Sequence, residues 1–242
     1  MIANRFNWVA VPRAAWVFTN PFKFLLAVAR RKAPAELTVR SPCGHITISL
    51  RNFESVRTLF SVFCRQDYFT REDEPGVFLD FGSNIGIATA YFLSRNRENV
   101  AVCFEPDFAN LEYLERNLRA FGARAEIRDR AVSEGAGQVV LYRSIDGKYS
   151  SLIPSERATV PQPVEAEAFS GALELATRCT LPAVVKLDVE GMEVPLVKSV
   201  DFARYRNVRR LICESMDCAR RVSRKHRLEV RNGYVEDLHF ID

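Results

Sequence analysis

The chain has 242 residues, of which 48% are hydrophobic and 26% charged. That length and balance fit one globular α/β domain with a short extension, able to bury a sizeable core without disulfides, and exclude a disordered chain. The net charge of +4 is too mild to imply nucleic acid, and no nucleic-acid partner is expected.

The first 35 residues read as an apolar and basic helical extension. Residues 8–29 are rich in apolar side chains, but Pro12, Arg13, Asn20, Pro21 and Lys23 interrupt them, so no spanning helix or secretory signal is expected. Asn20-Pro21 reads as a helix cap followed by proline in the first turn, which predicts a helix over residues 21–32. Phe22, Phe24, Leu25, Leu26 and Val28 cover more than one stripe of it. Either the helix docks on the domain, or residues 8–32 touch a membrane surface with help from Arg30, Arg31 and Lys32. Residues 36–75 form a lead-in. Residues 36–50 read as two short strands around a Cys-Gly turn, and residues 54–65 as a helix with Val56, Leu59, Phe60 and Phe63 on one face.

Residues 76–242 read as the main domain. Strands are predicted at 77–81, 100–104, 125–128, 183–187 and 208–213, with helices at 85–94, 108–121 and 193–199. Alternation of this kind argues for a mostly parallel sheet with helices on both faces. Between the third and fourth strands, residues 138–142 read as an extra strand and Asp146-Gly147 as a turn. Residues 150–152 and 164–168 look extended, and 170–176 look like a short helix. Substrate specificity could reside in such an insertion. Arg220, Arg221, Arg224, Lys225, Arg227 and Arg231 crowd the tail, read as a solvated helix face or a surface for an anionic partner. Cys43, Cys64, Cys103, Cys179, Cys213 and Cys218 show no C-x-x-C pair and no zinc spacing, so no metal site is expected and a reducing, cytoplasmic setting is the simplest inference.

Two constellations carry chemistry. The first is D-F-G-S-N-I-G, Asp80 to Gly86, directly after a strand and before a helix. Gly82 and Gly86 allow a tight turn and a close backbone approach to a ligand. Their spacing departs from G-x-G-x-x-G, and a carboxylate at Asp80 would repel pyrophosphate while suiting a ligand with an amino group. Glu105 closes the next strand, where a carboxylate can accept both ribose hydroxyls. The plainer readings are a helix cap for Asp80 and an exposed strand end for Glu105. The second constellation is K-L-D-V-E-G-M-E, Lys186 to Glu193. Residues two apart on a strand share a side, so Lys186 and Asp188 point together, and Glu190 follows if the strand stays extended. Asp188 is the leading base for a substrate hydroxyl and Lys186 orients it, with Glu190 and Glu214 as alternatives. The plainer reading is a Lys–Asp ion pair beside a helix N-terminus that favours Glu190 and Glu193.

The segments VFLDFGSNIG (77–86), CFEPDFANLEYLERNL (103–118), RAVSEGAGQVVLY (130–142) and VVKLDVEGMEVPLVKS (184–199), with SVRTLFSVFCRQDYF (55–69) upstream, resemble the FkbM family of methyltransferases. Met192 departs from the family, which often has Ala there. The resemblance implies a class I, Rossmann-like seven-stranded fold and S-adenosylmethionine as cofactor. It also implies O-methylation of a small-molecule or glycan acceptor, such as a sugar or secondary metabolite. It gives cofactor roles to Asp80, Gly82, Ser83, Asn84, Gly86, Glu105 and Pro106, and places Asp129 and Ala131 near adenine. An RNA ribose methyltransferase, a non-catalytic cofactor-binding module and an NAD enzyme are the other readings. The acceptor, the need for a metal and the oligomeric state are not legible.

Overall fold

The computed structural model describes residues 5–70, 74–144, 149–178, 180–215, 217–231 and 235–241, apart from the side chains of residues 5–9, 230 and 231. Asp146-Gly147, Cys179 and the side chain of Arg231 lie outside the described residues. Two helices open the chain, α1 (Arg5–Val17) and α2 (Pro21–Arg30). α2 begins where its cap predicts: the Asn20 side chain accepts the Lys23 N–H, and Arg31 ends the helix in a left-handed turn at φ 48°. α1 falls in the helical extension expected over residues 1–35, where the sequence reading sets bounds only for the second helix. α1 carries Pro12 in its interior, which removes a backbone hydrogen bond, while Ala10, Ala14 and the following Phe18 are buried at helical spacing.

β1 (Glu36–Ser41) and β2 (Gly44–Ser49) pair as a separate hairpin. α3 (Phe53–Leu59) follows, capped by Asn52, and its α-geometry gives way to a π-helical stretch, Phe60–Arg65. The chain then alternates as predicted, through β3 (Val77–Phe81), α4 (Ile87–Leu93), β4 (Val100–Phe104), α5 (Phe108–Leu118) and β5 (Ala125–Arg128). The inserted segment is a small sheet of β6 (Ala131–Ser133), β7 (Gly137–Arg143) and β8 (Val160–Ala168), followed by α6 (Phe169–Thr177). β9 (Ala183–Leu187), α7 (Glu193–Lys198), β10 (Val208–Cys213), β11 (His226–Arg231) and β12 (Val235–Phe240) complete the chain.

Seven strands form one sheet in the order β11-β12-β10-β9-β3-β4-β5. β12 is antiparallel to both neighbours, and the other six strands share one direction. The topology is that of the class I methyltransferase sheet, as the resemblance implies. Strand periodicity divides the core between two faces. Val77, Leu79 and Phe81 pack with α6 and α7, while Phe78 packs with α1 to α5. The latter face also takes the β1–β2 hairpin, so extension, lead-in and sheet share one apolar core. Phe18 stacks on Phe24 at 4.2 Å and Phe24 on Phe60 at 5.8 Å. Asn117 fastens the hairpin from α5: its amide oxygen accepts the Ser49 N–H and its nitrogen donates to Ile85 O, both at 2.7 Å.

The basic tail is corrected by the structure. Residues 219–221 form a 3-10 turn and 226–231 an edge strand, so there is no solvated helix face. Charged side chains at a sheet margin oppose pairing with another chain. Arg224 is buried, donates to Tyr205 O and Val208 O, and covers the Phe240 ring. Arg210 on β10 holds β12 through Asp237, with Nε–Oδ1 at 2.6 Å. Burial opposes the Asp237 charge, but bonds from His239 and Arg210 outweigh it and lower its pKa to about 2.

Phe18 is fully buried within the shared core, so Phe18→Ala should cost about 3–5 kcal/mol. Chemical denaturation checks this. An unchanged midpoint would mean that the extension contributes nothing to the domain's stability.

Candidate active site

The loop after β3 is shaped by steric demand. Gly82 (φ 78°) lies so close to the end of β9 that an added Cβ would meet Asp188 O at 1.9 Å. Gly86 (φ 82°) opens α4 where a Cβ would meet Leu114 at 2.6 Å. Both glycines therefore serve chain-to-chain contact as well as the turn. Gly82 and Ser83 donate their backbone N–H groups to Phe104 O, and Asn84 between the glycines is left-handed at φ 50°.

Asp80 lies beneath this loop, fully buried, and does not line the cavity that the loop borders. Oδ1 accepts from Lys186 Nζ at 3.0 Å and Oδ2 from Thr89 Oγ1 at 2.6 Å. Lys186 also donates to Gly82 O at 3.0 Å and stands 3.4 Å from Asp188 Oδ2. Burial alone would lower the lysine pKa, but Asp80 and then Asp188 reverse that, and it lies above the ordinary value. Lys186 is therefore a fixed cation. Asp188 shares its side, as strand spacing requires, and remains partly exposed to the cavity. Glu190 reaches the same cavity from a left-handed residue at φ 47°, because the strand ends at Leu187. Glu193 closes this turn by accepting the Val189 and Gly191 N–H groups.

Glu105 stands at the tip of β4, almost fully buried. Oε2 accepts the Asn84 N–H at 2.7 Å, and Oε1 accepts the Asp107 N–H at 2.9 Å and Asn110 Nδ2 at 3.3 Å. Burial outweighs these donors and raises the carboxyl to about 7. The cavity, of about 600 Å³, runs from Glu105 to Asp188. Gly82, Ser83, Asn84, Pro106 and Ala131 border it, whereas Asp80, Gly86 and Asp129 do not. Asp129 instead borders a smaller depression beside Pro106 and Gln162.

Three cavity walls lie outside the two motifs. The α3–π segment contributes Ser61, Val62 and Arg65, and the inserted sheet contributes Leu141 and residues 149–152. Tyr68 and Glu214 meet beside Asp188: the Tyr68 hydroxyl donates to Glu214 Oε1 at 2.8 Å, and Lys186 Nζ lies 5.9 Å from its ring. Burial, then Glu214 and Asp188, raise the Tyr68 pKa and keep the hydroxyl protonated. Glu214, an expected alternative base, follows a strand end; Tyr68 lies in the 55–69 segment that carries the resemblance, which does not single it out.

No protein-family model matches the sequence, and no curated protein matches it. Solved structures do match. A precorrin-6y C5,15-methyltransferase from Geobacter metallireducens is 10% identical, with 79% of this chain and 89% of that one covered and a TM-score of 0.40. A methyltransferase from Geobacter sulfurreducens is 14% identical, with 81% of each chain covered and a TM-score of 0.41. The N-terminal domain of human METTL16 in complex with SAH is 10% identical, with 81% and 76% covered and a TM-score of 0.41.

Lys186→Met should leave Asp80 as a buried carboxylate with one hydroxyl partner, a loss of about 3–5 kcal/mol. Lys186→Met with Asp80→Asn should recover part of it. Thermal unfolding of both variants decides; a single variant as stable as wild type would mean that the pair does not hold the two strands.

Proposed function

We propose that this chain is an S-adenosylmethionine-dependent O-methyltransferase of FkbM type acting on a hydroxyl of a small-molecule or glycan acceptor. The observation that carries the reading is the cavity between Glu105 and Asp188, at the carboxyl ends of the parallel strands, where ligands of open α/β sheets bind. The residues fit the cofactor chemically. Glu105 has three donors for two carboxylate oxygens in a buried setting, and two vicinal ribose hydroxyls would offset the cost of its charge. The Gly82–Asn84 backbone would border the amino-acid part, and Ala131 and Val132 the adenine. The cofactor supplies an already electrophilic methyl group, so the protein's tasks are positioning, exclusion of water and proton removal. Asp188 accepts the proton of the acceptor hydroxyl. Lys186 keeps Asp188 oriented, and its own proton stays in place because Asp80 stabilises the cation.

Asp188→Asn should bind the cofactor almost as wild type and lose about 10²–10⁴-fold in turnover. Labelled-methyl transfer to a panel of sugar hydroxyl acceptors, with calorimetric cofactor titration, separates the two. A wild-type rate would move the base to Glu214 or Glu190.

Glu105 yields a pH prediction. The ribose bonds need the carboxylate, so affinity is full above the free protein's pKa of about 7 and declines as pH falls through it. Titration at pH 6 and pH 8 should differ about tenfold. Glu105→Gln should bind weakly with that difference removed. The same pH slope in wild type and variant would place the ribose elsewhere.

A further inference from the structure

α2 is apolar on two opposite faces. One, with Phe24 and Ala27, is buried in the core. The other runs Phe22, Leu25, Leu26 and Ala29 at helical spacing and faces solvent, with Phe22 72% and Leu25 55% exposed. The Phe24 ring, stacked between Phe18 and Phe60, prevents the helix from rolling to hide that face. α1 adds Trp16, 80% exposed, and Val11, 60% exposed. Large apolar surface of this kind, rimmed by polar groups, marks an interaction site.

Charge identifies the occupant. Residues 1–35 hold Arg5, Arg13, Lys23, Arg30, Arg31 and Lys32 and no Asp or Glu. The rest of the chain carries all 30 acidic residues against 28 Lys and Arg, so the whole positive excess resides in this extension. Lys23 lies beside Phe22, and Arg30, Arg31 and Lys32 continue from the helix end, all exposed. No helix among the described residues is long and apolar enough to cross a membrane. We propose that α1 and α2 form an interfacial docking surface for an anionic lipid bilayer, their exposed apolar side chains entering the headgroup boundary and the cations meeting acidic headgroups. Apolar area and basic charge are the two signals that together give stable attachment. A second copy fits less well, because symmetric pairing of this face would oppose its own cations. Arg13 donates to Cys64 O in the π-helical stretch, so the docking helices rest on the back of a cavity wall.

The test is co-sedimentation of the intact protein with phosphatidylcholine vesicles and with mixed phosphatidylcholine–phosphatidylglycerol vesicles. Binding to the anionic vesicles should be at least about tenfold stronger and decline with salt. The triple variant Trp16→Gln, Phe22→Gln, Leu25→Gln should keep the wild-type melting temperature and lose about tenfold or more of that binding. Arg30→Gln with Lys32→Gln should weaken the preference for anionic lipid. Absence of sedimentation with anionic vesicles, or equal binding by the triple variant, overturns the proposal. So does a dimer, seen by analytical ultracentrifugation, that the triple variant abolishes without any lipid binding. Because lipid binding is read directly, the outcome is independent of methyl transfer.

Discussion

The buried contact between Lys186 and Asp80 is the constraint on which the rest of the site depends. The two residues are register partners on adjacent parallel strands, and their side chains meet on the sheet face that α1 to α5 cover. A lone charge there would be costly, whereas each of these has partners: Thr89 for the carboxylate, Gly82 O and Asp188 for the ammonium. The pair thereby ties the glycine loop after β3 to the end of β9. The Gly82 contact with the Asp188 carbonyl is the steric counterpart of that tie, since any side chain at this position would force the two strand ends apart. Electrostatics and close packing thus fix the same spacing, which is the distance across the cavity between the glycine loop and Asp188.

This arrangement assigns the acidic residues different work. Asp80 is engaged by the lysine and the threonine and joins two strands, and the carboxylate of the first two strands that borders the cavity is Glu105. A buried carboxyl whose pKa burial raises to about 7 despite three donors has something to gain from further donors. Asp188 differs again: it is next to a fixed cation, yet open to the cavity. The sequence pattern places all three at strand ends and turns Asp80 toward a ligand, but it does not show the Asp80–Lys186 pairing, because burial and partner choice are decided by neighbours from distant segments.

The same limit explains what else was legible. β3, β4, β5, β9 and β10 have the bounds the sequence predicts: β3, β4 and β9 are short, mostly apolar runs, and all five fall in an alternation of strands and helices that places even the mixed strands β5 and β10. β11 and β12 were missed. Their side chains mix charges with apolar groups because one is an edge strand, and the other is held by a buried Arg210–Asp237 pair. The bounds of α1 were not legible because Pro12 argues against a helix locally, while tertiary burial of Ala10 and Ala14 overrides it. The two loop motifs point to the cavity's floor. Its walls come from segments the sequence marks only coarsely: residues 55–69 carry the family resemblance and 150–152 belong to the insertion, but neither pattern singles out Tyr68 or Ser151.

Those walls are nonetheless attached to the motif residues at a few points. Asp107 caps α5 through the Ala109 N–H, and its side chain also accepts from Arg143 Nε and from Ser150 Oγ, each at 3.0 Å. Its backbone N–H donates to Glu105. The inserted sheet is therefore held by the residue that also positions the Glu105 carboxylate. On the opposite side, Ser151 Oγ donates to Glu190 O at 2.6 Å, which joins the insertion to the turn after β9. An insertion anchored at both ends of the cavity can change its lining side chains without moving Glu105 or Asp188. In the function proposed above, acceptor choice and methyl-transfer chemistry would be carried by different segments of the chain that meet in one cavity.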